Sequence, residues 1–211
     1  MSEPAAGAPR KRRPYAARMP ADQRREQVLD VALHIAASRG LRDVTMEAIA
    51  RESGVTKPVV YAMFANAESV LAALVEREQA RAWQQLQASV PPDLDLSDPL
   101  AAFNVGVSRF LGAIRANRET WTLLLAADQL PDAARAQHDE VRRVLVRQIA
   151  EFAAVGLRDR PSGPLDPELL ANLIVAGVEG SARLVLKQPD DFSEERLAAF
   201  AAELARAVLQ S

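Results

Sequence analysis

Residues 45–64 read TMEAIARESGVTKPVVYAMF, and this stretch decides how the rest of the chain is interpreted. Thr45 ahead of Met46 and Glu47 supplies a hydroxyl cap and an early acid, which together open a short helix. Gly54 stops it. Thr56 caps a second short helix, with Lys57 and Pro58 in its first turn, where proline forfeits no hydrogen bond. Two helices meeting at a tight turn need a small residue where they touch, a glycine at the turn and an aliphatic residue that locks the second helix onto the first. Ala50, Gly54 and Val60 occupy those places. The same residues also suit a plain corner between two core helices. The Ala-x3-Gly-x5-Val spacing is nevertheless that of a helix-turn-helix, whose second helix enters the DNA major groove. It would present Thr56, Lys57, Pro58, Val59 and Tyr61. Thr56 and the helix-start amides suit a phosphate; Lys57 suits guanine or phosphate, and Pro58 and Val59 suit a thymine methyl.

Outward from this motif the pattern stays helical. Val28, Leu29, Ala32, Ile35 and Ala36 form one apolar stripe on a segment from about residue 21 to 38, stopped at Arg39 and Gly40. Asn66 caps a long fourth helix that reaches about residue 88, before Pro91 and Pro92. Punctuation divides the remainder into segments at about 97–116, 117–128, 131–155, 168–187 and 193–209, giving about nine helices in an all-α chain. Alanine, leucine, arginine and glutamate dominate, all strong helix formers.

From about residue 21 to 81 the chain resembles the TetR family of bacterial transcriptional regulators. The resemblance is carried by the run from Arg24 to Ala32, then by Gly40, Thr45, Ile49-Ala50, Gly54-Val55, Val60-Tyr61, Phe64 and Val70-Leu71. It implies a DNA-binding domain over residues 21–66, with Arg25 and Thr45 joining the helix-turn-helix residues at the DNA, Tyr61 at the phosphate backbone and Phe64 packing the recognition helix. It also implies a homodimer on a palindromic operator, with residues 67–211 forming a ligand-binding and dimerisation domain. Two positions depart from the family pattern. Ala67 stands where a lysine commonly meets a phosphate, and Ile35 where an aromatic residue is favoured.

Charge supports the division. The 211 residues carry 26 basic and 28 acidic side chains for a net charge of -2, with 23 arginines, 3 lysines and no cysteine. Residues 1–60 alone are net +4 and residues 61–211 net -6. Residues 1–20 read as a disordered basic arm bearing Arg10, Lys11, Arg12, Arg13 and Arg18, suited to a polyanion. Its deletion is expected to weaken DNA binding and flatten its salt dependence. The missing cysteines exclude a disulfide framework and fit a reducing, cytoplasmic setting. Nothing at the N-terminus reads as an export signal, and no stretch approaches the ~20 uninterrupted apolar residues of a membrane span.

In the second half, Phe103, Val107, Phe110 and Ile114 form a stripe on the fifth segment, followed by Trp121, Leu124 and Leu125 on the sixth. Val141, Val144, Leu145, Ile149 and Phe152 are expected to face inward on the seventh. Phe103, Asn104, Val107, Phe110, Trp121, Leu125, Gln148, Phe152 and Asn172 are the candidate pocket lining. The polar members count because a buried polar group needs a partner. Gly177, Ser181 and Leu184 on the eighth segment, with Leu197, Phe200 and Leu204 on the ninth, are the candidate dimer interface. Glu179 lies within the eighth as an interface acceptor or a cation-sensing group.

Catalysis has little support. His34 and His138 stand apart with no metal-ligand spacing, and there is neither a phosphate loop nor a nucleophile elbow. No cofactor or metal is expected. Three functions remain: a dimeric repressor released from its operator by a small, mostly apolar effector; a regulator working without a ligand; and a helical small-molecule-binding module that does not touch DNA.

Overall fold

A computed structural model of the chain describes residues 19–89, 98–158, 163 and 165–210. The described residues form nine α-helices and no strand. The basic stretch from Arg10 to Arg18 lies outside them. Helices α1 (Ala21–Arg39), α2 (Met46–Ser53) and α3 (Lys57–Tyr61) make an N-terminal head. A single continuous helix, α4 (Ala67–Ser89), leads from it to α5 (Pro99–Ala116), α6 (Arg118–Leu124), α7 (Asp132–Gly156), α8 (Pro167–Lys187) and α9 (Glu194–Gln210).

Local chemistry sets the helix ends. The Thr45 hydroxyl accepts from the Ala48 amide at 3.1 Å and starts α2. Gly54, at φ +67°, ends it in the left-handed region where an L side chain is strained. Thr56 holds the cap position of α3 with extended backbone, but its side chain makes no capping bond, which corrects the expected hydroxyl cap. Pro58 in the first turn fixes the backbone there instead. At α4 the cap is reciprocal: Asn66 Oδ1 accepts from the Ser69 amide at 2.8 Å, and Ser69 Oγ accepts from the Asn66 amide at 3.2 Å. Asp98 and Asp166 cap α5 and α8. The helix expected over 117–128 is shorter than its pattern suggested. It ends at Leu124 and hands over to a 3-10 turn, Ala127–Gln129, before Pro131.

One apolar cluster joins Val28, Ile35, Ile49, Val60, Val70 and Leu74, all wholly buried, and each contributes about 1.5–3 kcal/mol of burial. Ile35 is fully enclosed at the position where the family pattern favours a larger aromatic, so the smaller side chain leaves a closed core. The cluster also takes in Leu123, Leu130 and Ala134, so the end of α6 and the start of α7 seal the head from below. A second cluster, built on Val107, Leu111, Ile114, Trp121, Ala182 and Val185, holds α5, α6 and α8 together; α9 packs along α5. A third joins α7 to α8 through Val146, Ala171 and Val175.

One expectation about the body needs correcting. Val141 and Val144 are exposed, because the buried face of α7 is centred on Val146, Ile149 and Ala150 and both valines point away from it. Helix α8 is long and apolar enough to cross a membrane by length and composition, although its sequence is broken by Glu179. Here it packs on α7 and α5, and Glu179 is held by Arg142 Nε at 3.0 Å.

Candidate nucleic-acid interface

Helix α3 is fixed by one residue and displayed by the rest. Val60 is wholly buried, whereas Thr56, Lys57, Pro58 and Val59 before it and Tyr61 after it are exposed, Tyr61 by 55%. With five residues the helix offers little beyond this set. A glutamine on α1 braces the turn from behind: Gln27 Nε2 donates to the Ser53 carbonyl at 3.2 Å. Of the residues named from sequence for DNA contact, Thr56, Lys57, Pro58, Val59 and Tyr61 are thus exposed together at α3. Thr45 is exposed as well, although its hydroxyl already serves the Ala48 amide.

Electrostatics refine the picture. Lys57 Nζ pairs with Glu47 Oε1 at 2.9 Å, both side chains being exposed. The hydrogen bond and charge of Lys57, with a smaller contribution from Arg51, hold the Glu47 carboxyl below its usual range. Arg39 grips both oxygens of Glu52 at 2.8 Å and does the same there. Arg25 stacks over the Phe64 ring with its guanidinium carbon 4.5 Å from the centroid, and Phe64 itself is buried in the head core. Ala67 begins α4 and contributes no cation.

The residues named for a pocket divide. Val107 and Trp121 are buried in the second cluster; Phe103, Phe110 and Leu125 pack against it, and Phe110 meets Trp121 edge to face at 4.8 Å. Asn104 Oδ1 and Trp121 Nε1 are buried with no hydrogen-bond partner among the described residues. Phe152 is half-buried on α7, and Gln148 is exposed. Asn172 is satisfied by its own helix, donating to the Glu168 carbonyl at 3.0 Å. Of the residues named for a dimer interface, Gly177, Phe200 and Leu204 are exposed, Ser181 and Leu184 half-buried, and Leu197 packs inward on the second cluster.

Sequence reading missed a buried acid. Glu78 on α4 is wholly buried. Its Oε1 accepts from Arg77 Nε at 2.9 Å and Arg81 Nη1 at 3.1 Å, and its Oε2 accepts from the Thr120 hydroxyl at 2.6 Å. Both arginines reach on to Glu26 of α1, and both also pair with Asp30. The available signal was a pair of matching four-residue spacings, acids at 26 and 30 against bases at 77 and 81.

A small head that buries one face of a five-residue helix and shows the other, carried on a rigid helix into a helical body, defines a helix-turn-helix DNA-binding regulator. Residues 28–74 match the family model described as bacterial regulatory proteins, tetR family. The HTH-type transcriptional regulator EthR of Mycobacterium tuberculosis is 30% identical over 167 residues, 75% of this chain and 72% of that protein. SrpR of Pseudomonas putida, another HTH-type transcriptional regulator, is 33% identical over 76 residues, which span 36% of this chain and only 34% of SrpR. A TetR-like regulator from Rhodococcus sp. RHA1 superposes with a TM-score of 0.76 at 24% identity, over 92% of this chain and all of that one. FadR of Bacillus halodurans, a fatty acid degradation regulator, has a TM-score of 0.68 at 16% identity, over 86% of this chain and 93% of that one. The chain belongs to the TetR family of transcriptional regulators.

Proposed function

We propose that this regulator is a homodimeric repressor, released from a palindromic operator by a small, mostly apolar ligand. Residues 21–66 form its DNA-binding domain and residues 67–211 its ligand-binding and dimerisation domain. The observation that carries the reading is the exposed set at Thr56, Lys57, Pro58, Val59 and Tyr61 over a buried Val60, with Arg25 and Thr45 beside it. Lys57 reads guanine or phosphate, Pro58 and Val59 read methyl groups, and Tyr61 and Arg25 hold the backbone.

Dimerisation is supported by Leu169, Leu173, Phe200 and Leu204, which stand 52–71% exposed on α8 and α9. An apolar strip of this kind on a lone chain calls for a partner, and a twofold axis would place two recognition helices about one DNA turn apart, ~34 Å. A ligand among α5, α6 and α8 is supported by Asn104 Oδ1 and Trp121 Nε1. Asn104 calls for a hydrogen-bond donor and Trp121 for an acceptor, and a mostly hydrocarbon molecule bearing such a group would answer either. Seating it would move α6 against α4 and change the spacing of the recognition helices.

Selection of genomic DNA fragments by the full chain tests the reading. The expected product is an inverted repeat bound by two chains, and a single half-site bound by a monomer would overturn it. Apolar compounds that raise the melting temperature are then titrated into the protein–DNA complex. Release is the expected result; DNA affinity indifferent to every compound bound would favour a regulator working without a ligand.

A further inference from the structure

Glu78 has an environment that a solvated helical face does not explain. It lies where α1, α4 and α6 meet, and groups from all three face it: Arg77 and Arg81 from its own helix, the Thr120 hydroxyl from α6 and, through the arginines, Glu26 and Asp30 from α1. The arginines are shared. Arg77 Nη1 lies 3.0 Å from Glu26 Oε2 and 2.9 Å from Asp30 Oδ1 while its Nε holds Glu78. A planar guanidinium that donates to two acids in different helices fixes the angle between them as well as their distance. A second tie runs parallel on the outside, where His34 Nδ1 of α1 sits 2.8 Å from Glu119 Oε1 of α6.

We infer that Glu78 is a positioning residue for operator binding: through Arg77 and Arg81 it clamps α6 to α1, so that the recognition helix takes its place from Thr120. The inference rests on the regulator reading above and adds the residues through which the body addresses the head. Helix α4 by itself could transmit a tilt, but helix packing permits sliding and rotation. The buried carboxylate removes that freedom, because any slip of α6 past α4 strands either the Thr120 hydroxyl or one oxygen of Glu78 without a partner. Slip of α6 therefore costs a buried hydrogen bond that the held arrangement keeps. DNA affinity is scaled by the fraction of molecules in the held arrangement.

Thr120 allows a clean test, since it is buried on α6, away from the exposed end of the head that carries α3. In the full chain, Thr120→Val keeps the shape and removes the hydroxyl, whereas Thr120→Ser keeps the hydroxyl. With a fragment recovered by genomic selection, T120V should weaken binding at least tenfold and T120S less than twofold. Equal binding by wild type and T120V overturns the inference. Native-state hydrogen exchange supplies a readout independent of DNA. Amides of residues 26–34 should exchange at least tenfold faster in T120V while those of 46–61 stay within threefold of wild type. Acceleration confined to α6, or a uniform rise along the chain, overturns it. Should T120V fail to fold, Arg81→Met, at a side chain 40% exposed, is measured in the same two ways against the same thresholds. Wild-type protein that captures no DNA defeats the regulator reading alone, and the exchange measurement still decides the clamp.

Discussion

The head and the far end of the body solve the burial problem in opposite ways. Around α1 to α4, Val28, Ile35, Ile49, Val60 and Leu74 are sealed within one chain, and what remains outside on α3 is small, polar or cationic apart from Val59 and Tyr61. On α7 to α9 the chain leaves Val141, Val144, Val155, Leu169, Leu173, Phe200 and Leu204 in the open. A closed core with a displayed cation suits a polyanionic partner that binds and leaves. An apolar strip suits a partner of its own kind that stays.

The contrast breaks most sharply at the strip. Leu173→Glu combined with Phe200→Glu places four like charges in the proposed symmetric contact. It should convert the dimer to monomer in sedimentation and lower operator affinity by about a hundredfold or more, since the second half-site no longer binds intramolecularly. The head should be unaffected, and its helix content by circular dichroism should remain. Val60→Ala tests the other side. A cavity at a fully enclosed aliphatic position should cost about 2 kcal/mol in denaturant unfolding, with no change in the association state. Lys57→Ala should lower operator affinity about tenfold and reduce its salt dependence, and Glu47→Gln should raise it a few-fold by freeing Lys57 and removing an acid beside the phosphates. Both effects are read by fluorescence anisotropy.

The smallest expected effect concerns pH. Burial on α7 pushes the His138 imidazole below its ordinary value of 6.5; Asp139 and Glu179 oppose this and Arg142 adds to it. Gln79 Nε2 donates to His138 Nδ1 at 3.3 Å, an arrangement for the neutral ring. With the folded value depressed, the unfolded chain binds more protons just below pH 6.5. The stabilising contribution is therefore complete above 6.5 and declines as pH falls toward the folded value. The melting temperature should drop slightly between pH 7 and 5.5, and His138→Gln should flatten that part of the curve.

What could be read in the sequence follows the range of the interactions. Thr45, Gly54 and Asn66 act on backbone within three or four residues, so caps and turns were legible, as was Val60, whose spacing to Gly54 is local. Glu78 was not. Within Arg77-Glu-Gln-Ala-Arg81 it resembles any acid on a solvated helix, and its burial draws on Thr120, 42 positions away, as well as on the two arginines. Asn172 looked like a buried amide in search of a partner because its neighbours are apolar, yet it bonds one turn back. Gln148, chosen for the same reason, faces outward, since periodicity gives the stripe without saying which edge of it meets the next helix.

The stacking of Arg25 on Phe64 bears on the timing of DNA recognition. A long side chain that is ordered only on contact surrenders about 1.5–2 kcal/mol of rotamer entropy at that moment. Arg25, held 4.5 Å over a ring that is itself buried, gives up much of that freedom when the head folds. In the proposed complex its guanidinium would meet a phosphate as part of a rigid surface. Replacing Phe64 with leucine would therefore slow the encounter with DNA while leaving every charge in place.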